Sequence, residues 1–201
     1  MSMSPGTIVA DQADRFKRLA WPLMPVVVRT AQCLTRNAEQ ADDLAQETMI
    51  KAMRAMESFQ SGSNMKAWLL TILRRTHIDW LRVSRNRPLQ LSLDEGGVDL
   101  EDPADVTAGE FDDQWDEPEE LMARFEDEEV VSALQDIPDE IRWTLLLVDV
   151  EQMEHAEAAT TLDVAVGTIK SRTHRGRAML RDRLYQRAAN RGWVDTKEKS
   201  Q

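Results

Sequence analysis

The sequence predicts an all-α protein: an N-terminal helical bundle and a C-terminal four-helix domain with a helix-turn-helix, joined by a flexible acidic linker. Three observations carry that expectation. Apolar residues recur every three or four positions over most of residues 16–83 and again from residue 119, the period of an amphipathic helix. Strand signals are almost absent, with no alternating Val/Ile/Thr run and no Asn-Gly hairpin turn. Between the two periodic regions lies a block of carboxylates. Of the 36 Asp and Glu, 17 fall between Asp94 and Glu129, together with only one of the 25 Lys and Arg, Arg124. The formal net charge of −11 therefore belongs to that block; the remainder, with 24 cationic side chains against 19 acidic, is mildly basic.

Residues 1–15 read as an N-terminal tail and 16–87 as the first domain. In its middle, Leu44, Thr48, Ala52 and Met56 form one row, with Ala41, Ala45, Met49 and Met53 beside it. Asn37, just ahead of Ala-Glu-Gln, suits the N-cap of that helix. Gly62-Ser63-Asn64 interrupts the pattern, and Ser63 or Asn64 can cap the next helix, whose apolar row is Leu69, Ile72, Leu73, Thr76, Trp80 and Leu81. Residues 88–118, punctuated by Gly96-Gly97, Pro103, Gly109 and Pro118, hold too few large apolar residues to fold alone and read as the linker. Residues 119–190 form the second domain. Leu121, Phe125, Val130, Val131 and Leu134 open it. Pro138 suits the first turn of a helix carrying Trp143, Leu146 and Leu147. Residues 191–201 read as a tail.

The second domain carries the sharpest chemistry. HAEAATTLDVA followed by VGTIKSRTHRGR reads as a helix, a short turn and a second helix. Ala159, Leu162, Val164 and Ile169 pack the crossing, and Asp163 sits where the chain needs a left-handed residue, which Asp tolerates better than most. The second helix starts near Val166 and presents Thr168, Lys170, Ser171, Arg172, His174 and Arg175; residues 166–187 hold seven basic side chains and one acid. Lys and Arg grip phosphates and donate to guanine edges, and Ser and Thr donate to either. A solvated basic helix closing a small bundle would look the same.

Two further faces stand out in the first domain. Asp42, Asp43, Gln46 and Glu47 form an acidic and amide stripe, with Ile50 beside it, on a helix of small residues. It suits a basic helical partner, and equally a solvated face. Lys66, Arg74, Arg75, Arg82, Arg85 and Arg87 oppose a single acid, Asp79, with Trp68, His77 and Trp80 interleaved. Cations with aromatics suit single-stranded DNA. Trp68 reads as core, and Trp80 fits either role.

Catalysis is not indicated. There is no P-loop and no GxGxxG, and His77, His155 and His174 have no Cys or carboxylate at metal-ligand spacing. No cofactor or metal is expected, and the linker lacks a calcium-loop pattern. The lone Cys33 excludes an internal disulfide framework and reads as core. With no apolar run of about 20 residues and no signal-peptide pattern, the expected location is the cytoplasm without membrane insertion.

VAVGTIKSRTHRGRAML resembles the promoter-reading C-terminal domain of bacterial sigma-70 family sigma factors of the extracytoplasmic-function class. LQDIPDEIRWTLLLVDVEQM is similar to that domain's opening helices. AEQADDLAQETMIKAMRAMESF resembles the family's core-polymerase-binding helix and SNMKAWLLTILRRTHIDWLR its promoter-melting helix. The matches cover most of residues 16–187 in the right order. Arg75 stands where the family often has Asn, Trp80 where a basic residue is frequent, and Asp163 where Gly is usual; His155 and Ala158 replace an aromatic and an Ile.

The resemblance implies a sigma factor that binds core RNA polymerase and starts transcription at chosen promoters. It implies −35 contacts by Thr168, Lys170, Ser171, Arg172, His174 and Arg175. It implies −10 capture and melting by Phe59, Ser63, Asn64, Lys66, Arg74, Arg75, His77 and Arg82. Asp42, Asp43, Gln46, Glu47 and Ile50 are implied to meet the polymerase clamp helices, with the flap of the large subunits as a second contact. An anti-sigma factor is the implied inhibitor, and the acidic linker would follow the RNA exit path. A dimeric helix-turn-helix regulator and a sigma-like decoy for an anti-sigma factor are the alternative readings.

Overall fold

A computed structural model describes residues 5–85 and 127–192. The linker expected over 88–118, the start of the second domain up to residue 126, and the tail from 193 lie outside those residues, as do Arg85's side chain and Arg87. Every regular element among the described residues is a helix.

The first unit comprises α1 (Pro5–Leu19), a 3-10 turn (Trp21–Leu23), α2 (Met24–Leu34), α3 (Ala38–Arg54), a second 3-10 turn (Met56–Ser58) and α4 (Met65–Arg85). α1 starts at Pro5, well before the expected boundary at residue 16. Proline's fixed φ suits the first helical position, and no Gly or Pro interrupts the chain from Thr7 to Leu19. Asn37 caps α3: its side chain accepts from the Glu39 N–H at 2.8 Å. Lys51 and Arg54 lie in the last turn of α3, where cations meet the negative end of the helix dipole. Of the two candidates for the next cap, Asn64 fills it, accepting from the N–H groups of Lys66 and Ala67 at 3.0 and 3.3 Å. Ser63 instead donates to the Gln60 carbonyl.

The apolar rows face inward as their spacing dictates. Ala41, Leu44, Ala45, Thr48, Met49 and Ala52 are buried on α3, and Leu69, Leu70 and Leu73 on α4. Burial of each leucine contributes roughly 1.5–3 kcal/mol, whereas an exposed ion pair such as Lys51–Glu47 is worth about 0.3–0.5. The core holds the unit together. Met53, expected beside the inner row, is half exposed together with Ile50.

The second unit comprises α5 (Asp127–Gln135), α6 (Asp139–Leu145), a π-helical turn (Leu146–Val150), α7 (His155–Leu162) and α8 (Val166–Asn190). Pro138 is the residue just before α6, one step outside the expected first turn; its carbonyl accepts from the Ile141 and Arg142 N–H groups. The π turn closes with Glu151 N–H donating to the Leu146 carbonyl at 2.9 Å, and Gln152 then turns the chain at φ 55°. One residue more per turn rotates the downstream chain by about 100° relative to an α-helix. Midway along α8, Gly176 lets α6 approach. A Cβ there would lie 2.7 Å from Ile141 Cγ2 and 2.9 Å from Leu145 Cδ2.

The two units pack against each other, α2 on α5 and α4 on α7.

Candidate nucleic-acid interface

The turn between α7 and α8 is built as the sequence requires. Asp163 adopts φ 56°, ψ 51°, the left-handed region. Ala158, Ala159 and Leu162 from α7 and Ile169 from α8 are buried at the crossing, and Val164 is partly buried there. Burying Ile169 and Thr173 turns Lys170, Ser171, His174 and Arg175 to the surface. Thr168 is half-buried at the edge of this face. Arg172 is committed elsewhere: it donates to Glu140 of α6, and its side chain is largely covered. Arg177, which the residue pattern did not single out, donates to Asp149 at 2.8 Å and ties α8 to the π turn.

On α3, Asp42, Asp43, Gln46 and Ile50 are exposed along one stripe, extended by Met53. Glu47 is held: Lys51 Nζ lies 2.9 Å from Oε1 and the Trp80 indole N–H donates to Oε2 at 2.6 Å. These bonds, the lysine's foremost, hold the Glu47 carboxyl below the usual carboxylate range. Trp80 is thus a bridge between α3 and α4 rather than a ring simply stacked in the core.

The α4 side departs more from expectation. Ser63, Arg75 and Arg82 are exposed. Phe59 is buried edge-on against Trp68 with ring centroids 5.3 Å apart, so the base contact expected of it has no open ring face to use. Arg15 crosses Phe59 and donates to its carbonyl at 2.8 Å and to Ser61 Oγ at 2.9 Å, fixing the loop. Four of the expected residues lie at the second unit, Asn64 exposed, Lys66 and Arg74 half-buried and His77 buried. Asn64 donates to Glu157 at 2.6 Å. Lys66 donates to the Glu151 carbonyl, with its Nζ 3.7 Å from Glu151 Oε2. Arg74 is half-buried and feels Asp163, Arg172 and Glu140; burial lowers its pKa. His77 is buried with its ring 6.2 Å from that of Trp143. Burial lowers the His77 pKa as well, with Asp139 opposing and Arg142 reinforcing the shift, and its Nδ1 has no hydrogen-bond partner among the described residues.

Sequence reasoning also missed the residues that make this junction. Gln135 donates to the Gln32 and Thr35 carbonyls, and Arg142 to those of Leu34, Gln135 and Ile137. Those α2 carbonyls are orphans of a helix end. Arg29 donates to Glu151 Oε1 at 2.5 Å. The only signals were a cation between apolar residues of α6, Arg142, and an acid just past the π turn, Glu151. Among the described residues no His/Cys/Asp/Glu cluster fit for a metal is present, and no helix is long and apolar enough to cross a membrane.

Comparison with known sequences agrees with this geometry. Residues 22–87 match Sigma-70 region 2 and residues 127–180 match Sigma-70, region 4. The chain is 36% identical over 162 residues to the ECF RNA polymerase sigma factor EcfG of Rhodopseudomonas palustris, covering 81% of each chain. It is 32% identical over 187 residues to the ECF RNA polymerase sigma factor SigE of Mycolicibacterium smegmatis, covering 90% of this chain and 62% of that one. Among solved structures it is similar to the sigma factor RpoE of Bartonella quintana in complex with the anti-sigma factor NepR. The TM-score is 0.64 at 31% identity, over 85% of this chain and 96% of that one.

Proposed function

The chain belongs to the extracytoplasmic-function class of RNA polymerase sigma factors, and on that premise we propose how its surfaces divide the work of initiation. As a sigma factor it binds core RNA polymerase and directs it to promoters. In the proposed division, α8 lies in the major groove of the −35 element. Lys170 and Arg175 contact base edges or phosphates, with Ser171 and His174 between them and Thr168 at the edge. Arg172 joins only if it leaves Glu140. Each good bidentate base contact is worth roughly 1–3 kcal/mol of discrimination.

The exposed α3 stripe, Asp42, Asp43, Gln46 and Ile50 with Glu47 pinned at its rim, docks on the polymerase clamp helices. The loop before α4 and the exposed part of the α4 face, with Ser63, Arg75 and Arg82, hold the opened −10 strand; Asn64, Lys66, Arg74 and His77 join only if they leave the second unit. Phe59 supports that loop from beneath. The protein acts in the cytoplasm as a binding factor without chemistry of its own. An anti-sigma factor is the proposed restraining partner, supported by the NepR-bound neighbour.

The single observation that carries this reading is the exposed row Lys170, Ser171, His174 and Arg175 behind a left-handed Asp163 turn. Run-off transcription by core polymerase on a promoter library, with and without the chain, tests it. Initiation gained at a defined promoter subset is the expected result; no gain at any promoter would overturn the reading.

A further inference from the structure

Residues 59–64, which join the second 3-10 turn to α4, are anchored at their two ends. Phe59 is buried edge-on against Trp68, and Asn64 caps α4. Between them Gln60, Ser61, Gly62 and Ser63 are exposed. Gly62 lies at φ 93° with open space where a Cβ would stand. Ser63 bonds locally, its N–H and its hydroxyl both donating to the Gln60 carbonyl at 3.2 and 2.6 Å. An exposed polar turn with a glycine at its tip has little packing of its own to fix its shape.

α1 supplies a restraint from outside. Arg15 Nη2 donates to the Phe59 carbonyl at 2.8 Å and to Ser61 Oγ at 2.9 Å, and its Cζ stands 5.6 Å from the centre of the Phe59 ring. One turn earlier on the same face of α1, Gln12 donates to the Glu57 carboxylate of the 3-10 turn. Phe16, buried beside Trp21, fixes which way α1 turns these two side chains. A guanidinium is a planar fork that reaches two acceptors while its face lies against a ring; a lysine ammonium would keep the charge and lose the plane. Arg15 also precedes the stretch matched by Sigma-70 region 2, which begins at residue 22.

Resting on the reading of this loop as a −10 contact, we propose that Arg15 is a positioning residue for −10 base selection. It ties the Phe59 backbone to Ser61 and so sets how Ser63 is presented at the loop surface. Both hydrogens of its Nη2 are spent on protein acceptors, so it acts through the loop and not on the DNA. A loop that holds its binding shape only part of the time binds more weakly by that fraction. The loss falls on the base that the loop reads and spares the −35 element, which α8 reads.

Run-off transcription with core polymerase compares the full chain with Arg15→Ala, Arg15→Lys, Ser61→Ala and the Arg15→Ala/Ser61→Ala double variant. The templates carry every single-base change in the −10 and −35 elements. Amide-nitrogen relaxation of Ser61 and Gly62 and the urea midpoint are measured on the same proteins without DNA. Arg15→Ala should lose roughly 3- to 30-fold of discrimination at the −10 base read by the loop, the worth of one or two hydrogen bonds, and keep its −35 preferences. Arg15→Lys should lose nearly as much, because the fork and not the charge holds the loop. Ser61→Ala should lose less, and the double variant no more than Arg15→Ala. The Ser61 and Gly62 amides should become more mobile in both Arg15 variants.

A merely structural role would lower transcription at all templates by one factor, in step with the urea midpoint, and leave the −10 ratios and the loop amides unchanged. That result overturns the proposal. Full retention of −10 discrimination in Arg15→Lys beside a loss in Arg15→Ala also overturns it, in favour of a direct phosphate contact. A parent chain that initiates with no −10 base preference overturns the reading of the loop itself, and this inference with it.

Discussion

The Trp80 indole N–H donates to Glu47 Oε2 at 2.6 Å, joining the helix proposed to meet polymerase to the helix proposed to hold melted DNA. Trp80→Phe keeps an aromatic ring, smaller than the indole, and removes the donor. The Glu47 pKa should rise toward the ordinary carboxylate value but stay below it, because Lys51 remains the main cause of the shift. A side-chain carbon NMR titration reads this directly. Core-polymerase affinity should fall modestly, by about 1 kcal/mol or less, the worth of one hydrogen bond. An unchanged Glu47 titration would show that the bridge does not persist in solution.

Gly176 is the tightest point of the second unit. Replacing a mid-helix glycine with alanine ordinarily stabilises by up to about 1 kcal/mol. Here the added methyl meets Ile141 and Leu145 well inside contact distance, and overpacking of that kind costs about 1–3 kcal/mol. Gly176→Ala should therefore be net destabilising, seen as a lower urea midpoint at unchanged slope. A gain in stability would mean that α6 yields easily.

The Asp163 turn gives a test of the reading helix that leaves its contact residues untouched. A non-glycine residue in the left-handed region costs roughly 1–2 kcal/mol, least for Asp and Asn. Asp163→Gly should preserve or raise stability, and Asp163→Val should lower it by about that amount and weaken −35 DNA binding in parallel. Equal behaviour of the two variants would contradict the turn geometry.

His77 makes the packed chain sensitive to acid. Its pKa is lowered by burial beside Trp143, with Asp139 opposing and Arg142 reinforcing. An exposed histidine takes up a proton near pH 6.5. As pH falls below about that value, the unfolded chain binds a proton that the folded chain refuses. The stabilisation is complete above pH 6.5, declines down to the lowered folded value and then levels off. Urea midpoints between pH 5 and 7.5 should show this slope in the parent and a shallower one in His77→Gln. Identical slopes would place the titration elsewhere.

What the sequence revealed was local. Asn37 and Asn64 are caps whose partners lie two or three residues away, and Asp163 is a turn fixed by its own φ and ψ. The helical periods located the core rows and the face of α8. What stayed hidden was long-range and polar. Glu151 meets Arg29 across 122 positions, and Arg142 meets Leu34 across 108. Periodicity carries no record of such pairs. The same gap explains Phe59 and Arg172. The family resemblance marked both for DNA, whereas Trp68 and Glu140 hold them in the fold.

The central claim, that the exposed α8 row reads the −35 element, is tested most directly by pairing side chains with bases. Run-off transcription by core polymerase would compare the parent, Lys170→Ala and Arg175→Ala over every single-base change in the −35 element. Each variant should lose about 1–3 kcal/mol of discrimination at one or two positions and keep its preferences elsewhere. Unchanged preferences at every −35 position in both variants would contradict it.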